Sequence, residues 1–167
     1  LGSKFFIRKA VKKNKINILK IQQDFQKHYE TNFYKNTYLK TGVSRFLKFT
    51  KKKSLTNILC TNKKEQTAIK ILKKYQIDSY FKHIVGYDTF KEKKPEFKFI
   101  RKIFKKLKLK NSNTIMIGDT EIDSLLAKRA KLIFYLINKG YTNKKNFYYS
   151  YKFNNFKKIK NKINDQL

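Results

Sequence analysis

Two aspartates four residues apart, Asp119 and Asp123, are the residues of this sequence best placed to do chemistry. They follow a short apolar run, I-M-I at 115–117, from which Gly118 separates them. The run has the length of a buried strand, and the apolar residues that follow recur at helical spacing, so a strand-to-helix turn is predicted. Carboxylates at the carboxyl end of a strand suit Mg²⁺, which prefers oxygen ligands. The alternative is that Asp119 caps the helix and Asp123 complements its dipole.

Polar residues also follow two other predicted strands. A strand candidate at 55–60 ends in Thr61 and Asn62, and a hydroxyl with backbone amides at a helix start suits a phosphate group. An ordinary helix cap is the alternative. The loop after a strand at 84–87 leads to Lys94 and Pro95, and we expect Pro95 to open a helix at its favoured first position. A hydroxyl, a cation and two acids at successive strand ends predict a site for phosphate and metal.

The elements that position these groups alternate along the chain. Predicted strands at 55–60, 84–87, 115–117, 132–137 and 149–153 are separated by helical patterns, which run over 43–49, 63–75 and 95–107 and then beyond Asp119. On the helix that Pro95 opens, the core face is predicted to be Phe97, Ile100, Phe104 and Leu107. Such alternation predicts βαβ units, a mostly parallel sheet and an α/β fold. A turn at Gly140-Tyr141 and a final helix complete the predicted order.

Residues 1–37 follow a different pattern. They carry two apolar stripes at helical spacing, one within 6–11 and one formed by Ile18, Ile21, Phe25 and Tyr29. No strand alternation and no proline interrupts them. A pair of helices of this size cannot bury both stripes by itself. We therefore divide the chain into a helical unit at 1–37 and an α/β unit at 38–167.

The net charge of +31 comes from 42 lysines and arginines against 11 acidic residues. Such a charge favours a polyanionic partner such as nucleic acid. However, only four of the basic residues are arginine, the preferred residue for bidentate phosphate recognition, and the lysines are spread along the chain. The enriched residue types have A/T-rich codons, so we attribute the charge to base composition and expect no specific nucleic-acid partner.

Several classes of protein are disfavoured by simple counts. No apolar run approaches the roughly 18 residues of a membrane-spanning helix, and no apolar segment near the start resembles a secretory signal. The single cysteine, Cys60, cannot form an internal disulfide, which favours a reducing compartment. We expect a cytoplasmic protein without a membrane partner, and because the first residue is Leu we expect a fragment. The sequence leaves the oligomeric state open.

The motifs, taken in order, resemble those of the haloacid dehalogenase superfamily of phosphohydrolases. The stretch I-L-C-T-N at 58–62 resembles the second family motif, K-K-P at 93–95 the third, and G-D-T-E-I-D at 118–123 the fourth. The stretch 85–95 and the later Gly140-Tyr141 resemble the phosphoglycolate phosphatase branch. The resemblance implies a Rossmann-like parallel sheet with helices on both faces, and it implies that 1–37 is part of an inserted helical cap.

The resemblance also implies a reaction and roles for its residues. A small phosphomonoester would be hydrolysed through an aspartyl-phosphate with Mg²⁺. Thr61 and Asn62 would bind the phosphate, Lys94 would bind it and neutralise its charge, and Asp119 and Asp123 would hold the metal. The family's first motif, D-x-D-G-T, which supplies the nucleophile, is absent because no two aspartates here are spaced D-x-D. That motif lies on a mid-sheet strand, so we expect the nucleophile in a preceding segment and little activity from this chain alone.

Two alternatives remain open at this point. The chain could belong to a non-catalytic remnant or pseudoenzyme, which the sequence upstream of Leu1 would reveal by lacking D-x-D-G-T. It could instead be a basic nucleic-acid-binding module, which a steep salt dependence of polynucleotide binding would reveal.

Overall fold

A computed structural model describes residues 18–32, 35, 37–137 and 148–167. The chain divides into two compact units, Leu1–Tyr38 and Leu39–Leu167. The described part of the first unit is one helix, α1 (Ile18–Asn32), on which the rings of Phe25 and Tyr29 stack with centroids 6.1 Å apart. The apolar stripe within 6–11 and the turn at Gly140-Tyr141 lie outside the described residues. That 1–37 is part of a cap stays a prediction.

The described part of the second unit contains five short parallel strands in two sheets. They are β1 (Ile58–Cys60), β2 (His83–Val85), β3 (Ile115–Gly118), β4 (Ile133–Ile137) and β5 (Tyr151–Phe153). One sheet has the order β1-β2, and the other has the order β3-β4-β5. All the pairings are parallel. The predicted α/β class with a parallel sheet is confirmed.

Five helices accompany these strands in the same described ranges. They are α2 (Val43–Lys52), α3 (Glu65–Lys74), α4 (Phe97–Leu107), α5 (Glu121–Arg129) and α6 (Phe156–Asn164), with short 3₁₀ turns at Asp78–Tyr80 and Asn111–Asn113. Their apolar residues recur every three or four positions, which gives each helix one face to bury. No described helix is long and apolar enough to span a bilayer.

The helices pack on both faces of the strands, and side chains alternate between the two faces. On one face, α4 and α5 cover Ile58, Cys60, Met116 and Phe134, and these residues belong to one apolar cluster. On the other face, α2 contributes Leu47 to the cluster around Leu59 and Phe46 to the cluster around Ile115 and Ile117. Both helical layers therefore bridge the two sheets. Among the described strands, β1 pairs only with β2 and β3 only with β4, so each has one unpaired edge. We call these two unpaired edges the β1–β3 boundary.

Several predicted bounds are wrong, and three of them show how the local backbone differs. Strand β1 begins at Ile58 rather than Leu55, because the Leu55 amide donates to the Thr50 carbonyl (2.9 Å) and closes the end of α2. Strand β2 ends at Val85, and the Tyr87 amide turns away to donate to the Lys63 carbonyl (3.2 Å). Helix α4 begins at Phe97, two residues after Pro95, whose bond to Lys94 is cis.

The buried face of α4 also differs from the predicted one. Phe99, Ile100 and Ile103 are buried, whereas Phe97 is 46% exposed. Phe104 and Leu107 pack only partly against the core. Phe97 is the first residue of α4, so its side chain lies at the end of the helix rather than over the sheet. The lysines of α4 are exposed.

Candidate active site

A buried ion pair joins two of the predicted site residues. The Lys94 ammonium donates to Asp123 Oδ1 at 2.7 Å, and the side chains are 14% and 8% exposed. A buried pair is tolerated only where further hydrogen bonds satisfy the charges. Asp123 Oδ2 accepts from the Thr120 amide (3.2 Å) and hydroxyl (2.5 Å). Lys94 comes from the loop after β2 and Asp123 from the helix after β3, so the pair ties the two sheets together.

The start of α5 places Asp123 by a capping box. Thr120 is the N-cap, its hydroxyl accepts from the Asp123 amide, and the Asp123 carboxylate accepts from the Thr120 amide. The capping residue is therefore Thr120 and not Asp119. The T-x-x-D spacing at 120–123 is a signal for this box that sequence reasoning missed. Gly118 is required beside it, because a Cβ at position 118 would lie 2.5 Å from Asp123 Cβ.

Asp119 is more exposed and has a different partner. Its Oδ2 accepts from the Lys40 ammonium at 2.8 Å, with side-chain exposures of 34% for Asp119 and 47% for Lys40. Sequence reasoning did not find Lys40, because nothing distinguishes it among the chain's many lysines. The pair places a cation beside the carboxylate that we expect to face a metal.

Thr61 and Asn62 follow β1 and reach the same end of the strands. The Thr61 amide donates to the Val85 carbonyl (2.9 Å), and the Thr61 hydroxyl accepts from the Lys63 amide (3.2 Å). Helix α3 begins at Glu65, two residues later than predicted. The Asn62 side chain makes two hydrogen bonds to the backbone of Lys94, at 2.8 and 2.9 Å. The structure thus connects Asn62, Lys94 and Asp123 directly, with Thr61 adjacent in the chain.

The electrostatics of this cluster shift the pKa values of both Lys94 and Cys60 upward. Burial acts to lower the pKa of Lys94, but the acidic neighbours Cys60, Asp123 and Asp119 outweigh it, so the pKa lies above its usual value. Burial raises the pKa of the Cys60 thiol, with Lys94 opposing the change and Asp123 adding to it. A fixed ammonium at the strand ends is suited to binding a phosphate oxygen.

The two aspartates fit part of a magnesium site. Mg²⁺ commonly binds one or two protein carboxylates and completes its octahedron with water and phosphate oxygens. Asp119 and Asp123 supply carboxylates of this kind near a strand end. The described residues contain no group of three or more His, Cys, Asp or Glu that could hold a metal. Further ligands would therefore come from water, from substrate or from residues outside the described ones.

The fold and the motif order define the class of protein. Residues 3–137 match the family model described as haloacid dehalogenase-like hydrolase. The match covers well over half of the chain, so the chain belongs to this family, as the sequence predicted.

Named relatives place the chain within that family. It is 29% identical over 119 residues to a phosphoglycolate phosphatase of Vibrio vulnificus (strain YJ016), covering 71% of this chain and 52% of the relative. It is 32% identical over 107 residues to a phosphoglycolate phosphatase of Pseudomonas fluorescens (strain Pf0-1), covering 64% and 39%. The chain thus resembles phosphoglycolate phosphatases but spans about half the length of these curated relatives or less.

Solved structures agree on the fold. A protein from Haemophilus somnus 129pt, described as a predicted phosphoglycolate phosphatase, superposes with a TM-score of 0.81 at 21% identity, covering 90% of this chain and 68% of that one. A predicted phosphatase from Clostridium acetobutylicum gives a TM-score of 0.80 at 20% identity, covering 97% and 76%. At such identities the likeness establishes the fold alone.

Proposed function

We propose that the chain is part of a cytoplasmic, Mg²⁺-dependent phosphatase that hydrolyses a small phosphomonoester and resembles phosphoglycolate phosphatase. The observation that carries this proposal is the buried Lys94–Asp123 pair at the strand ends, with Asp119 four residues before Asp123 and Asn62 bonded to Lys94. An ammonium held by one carboxylate, beside a second carboxylate, is an arrangement that binds a phosphate together with a divalent cation.

Each residue has a role in this proposal. Lys94 binds an oxygen of the transferring phosphoryl group and neutralises the charge that develops there. The Thr61 hydroxyl and the Asn62 amide hold other oxygens of the same group. Asp119 and Asp123 would hold Mg²⁺, which supplies further charge neutralisation when bound. Lys40 competes for Asp119 and would be displaced from it.

The proposed chemistry also needs a nucleophile. A carboxylate from a preceding segment would attack phosphorus and expel the alcohol, and water would then cleave the aspartyl-phosphate to release phosphate. Among the described residues the free edges of β1 and β3 are unpaired, and a parallel strand between them would complete the sheet. The incomplete coverage of the relatives leaves room for such a segment.

The test is Mg²⁺-dependent hydrolysis by the complete product of the gene. We expect turnover of a small phosphomonoester, with phosphoglycolate as the first substrate to try. Asp119→Asn should weaken the Mg²⁺ dependence by at least tenfold, and Asp165→Asn, an exposed control at the C-cap of α6, should leave it unchanged. Full activity and unchanged Mg²⁺ dependence in Asp119→Asn would contradict the metal assignment. An upstream sequence without D-x-D-G-T would favour the pseudoenzyme alternative.

The proposal includes no specific nucleic-acid partner. The charge of +31 should give weak, sequence-independent binding to duplex DNA near physiological salt, with a Kd no tighter than about 10⁻⁶ M. Sequence-selective binding in the nanomolar range, measured by titration of labelled duplexes, would contradict this part of the proposal.

A further inference from the structure

The side chain of Asn62 is committed to the backbone of a single residue. Asn62 Oδ1 accepts from the Lys94 amide at 2.8 Å, and Asn62 Nδ2 donates to the Lys94 carbonyl at 2.9 Å. A carboxamide that bonds both backbone groups of one residue fixes its position and its orientation, as two strand residues do when they exchange both bonds. Asn62 is exposed, so burial does not force its polar atoms to find protein partners.

The loop that carries Lys94 is held from the same short segment at its other end. The Asp88 carboxylate accepts from the Glu65 amide at 2.8 Å. The Thr89 hydroxyl accepts from the Gly86 amide at 2.9 Å and donates to the Glu65 carboxylate. Residues 62–65, which follow β1, therefore anchor the loop both just after β2 and at Lys94.

The two ends of Lys94 are thus fixed separately. Asn62 fixes the backbone, and Asp123 fixes the ammonium at 2.7 Å. A lysine side chain has four rotatable bonds, so its ammonium stays in one place only if the backbone from which it starts is also held. A displacement of about 1 Å of a catalytic group can cost about a hundredfold in rate.

We propose that Asn62 is a positioning residue, whose carboxamide holds the Lys94 backbone so that the ammonium meets the transferring phosphoryl group. This inference rests on the proposed function and assigns to the Asn62 side chain a role distinct from the phosphate contact of its backbone amide. Asn62 acts through Lys94, so its loss should lower kcat and leave KM nearly unchanged.

The first measurement does not depend on activity. In the complete gene product, amide hydrogen exchange at Lys94 is compared among the unchanged protein, Asn62→Ala, Asn62→Asp and the control Asn161→Ala. Asn62→Asp keeps the side chain's size but sets a second acceptor against the Lys94 carbonyl. We expect exchange at least tenfold faster in Asn62→Ala and a smaller increase in Asn62→Asp, whose carboxylate can still accept from the Lys94 amide. We expect no change in Asn161→Ala, which is exposed on α6. Unchanged exchange in Asn62→Ala would overturn the inference.

The second measurement is a double-mutant cycle on the phosphatase reaction. Asn62→Ala should lower kcat by about tenfold to a hundredfold, and Lys94→Met by about 10²–10³-fold. In the Lys94→Met background, Asn62→Ala should cost less than about twofold, because its target is already gone. Additive losses, or a rise in KM at constant kcat, would overturn the positioning role. If the Asn62 variants exchange faster at Lys94 but Lys94→Met keeps full activity, the proposed function is contradicted. The two hydrogen bonds from the Asn62 side chain to the Lys94 backbone would still be supported.

Discussion

Strand β4 and the β1–β3 boundary are made of similar apolar residues but differ in their surroundings. β4 is paired on both sides, and Phe134, Tyr135 and Leu136 are fully buried. In β1, for which the described strands provide one partner, β2, all three residues are partly exposed. In β3, which is paired only with β4 among the described strands, Met116 is buried and its apolar neighbours are partly exposed. The strands of a parallel sheet are normally buried, because helices cover both faces of the sheet.

The difference lies in strand pairing, because β1 and β3 each have one unpaired edge among the described strands. Residues of both strands pack in the same apolar cluster, yet no backbone hydrogen bonds join the two strands. The edge of an apolar strand presents unpaired backbone N–H and C=O groups that can pair with another strand. Under the proposed function, a further strand would pair at this boundary. In the structure, the Lys94–Asp123 ion pair links the loop after β2 to the helix after β3.

The largest effect on stability should come from removing that pair. Lys94→Met leaves the buried Asp123 carboxylate without its cation, and a single charge of this kind costs about 3–5 kcal/mol. Urea unfolding measures the loss in free energy of unfolding. Lys98→Met, an exposed lysine on α4, serves as the control and should cost much less. Equal losses in the two variants would show that the pair does not hold the boundary together.

Truncating one leucine in β4 and one in β1 tests directly how differently the two strands are buried. Leu136→Ala in β4 removes a fully buried side chain and should cost about 2–5 kcal/mol. Leu59→Ala in β1 removes a partly exposed one and should cost about half as much. Both free energies come from urea unfolding of the isolated chain. A cost at Leu59 as large as that at Leu136 would mean that β1 is as well covered as β4.

Gly118→Ala tests the tight turn at the end of β3. The new methyl group would lie 2.5 Å from Asp123 Cβ, so α5 or the turn has to shift. Overpacking of this kind costs about 1–3 kcal/mol. Chemical-shift changes at the Thr120 and Asp123 amides should accompany the loss of stability. An unchanged spectrum at these two amides would show that the turn has more room than the structure indicates.

The smallest effect is expected at the exposed ion pair. Lys40→Met removes the partner of Asp119, but solvent screens both charges, so the cost should be about 0–1 kcal/mol. The same change should strengthen Mg²⁺ binding, because a competing cation is lost from the carboxylate. Calorimetric titration with Mg²⁺ measures this in the complete gene product. Weaker Mg²⁺ binding in Lys40→Met would contradict the competition.

Much of the fold could be predicted because it depends on local patterns. Short apolar runs and helical spacing predicted the five strands in order, and G-D-x-x-x-D predicted the turn that carries Asp119. The unpaired edges of β1 and β3 were expected only from the family resemblance, in which the absent first motif lies on a mid-sheet strand. Residues 58–60 alone could not predict them, since a strand's own sequence does not identify its neighbours. The hydrogen bonds of the Asn62 side chain were also missed, because their partner is the backbone of Lys94, 32 positions away in the sequence.

The ion pair at Lys40 was missed for a related reason. A surface lysine carries no local signal of its partner, and Asp119 lies 79 positions further along the chain. By contrast, the capping box formed by Thr120 and Asp123 could have been predicted from the spacing of these two residues alone. Local signals therefore predicted the elements and the residues at their ends, while contacts between distant segments required the structure.

The central claim is that these residues form one part of a phosphatase site that needs a further segment to work. It is tested most directly by assaying the isolated 167 residues and the complete gene product side by side, with the same phosphomonoester and Mg²⁺. We predict Mg²⁺-dependent turnover by the complete product and none above background by the isolated chain. Robust Mg²⁺-dependent turnover by the isolated chain, retained after contaminating phosphatases are removed, would contradict the claim.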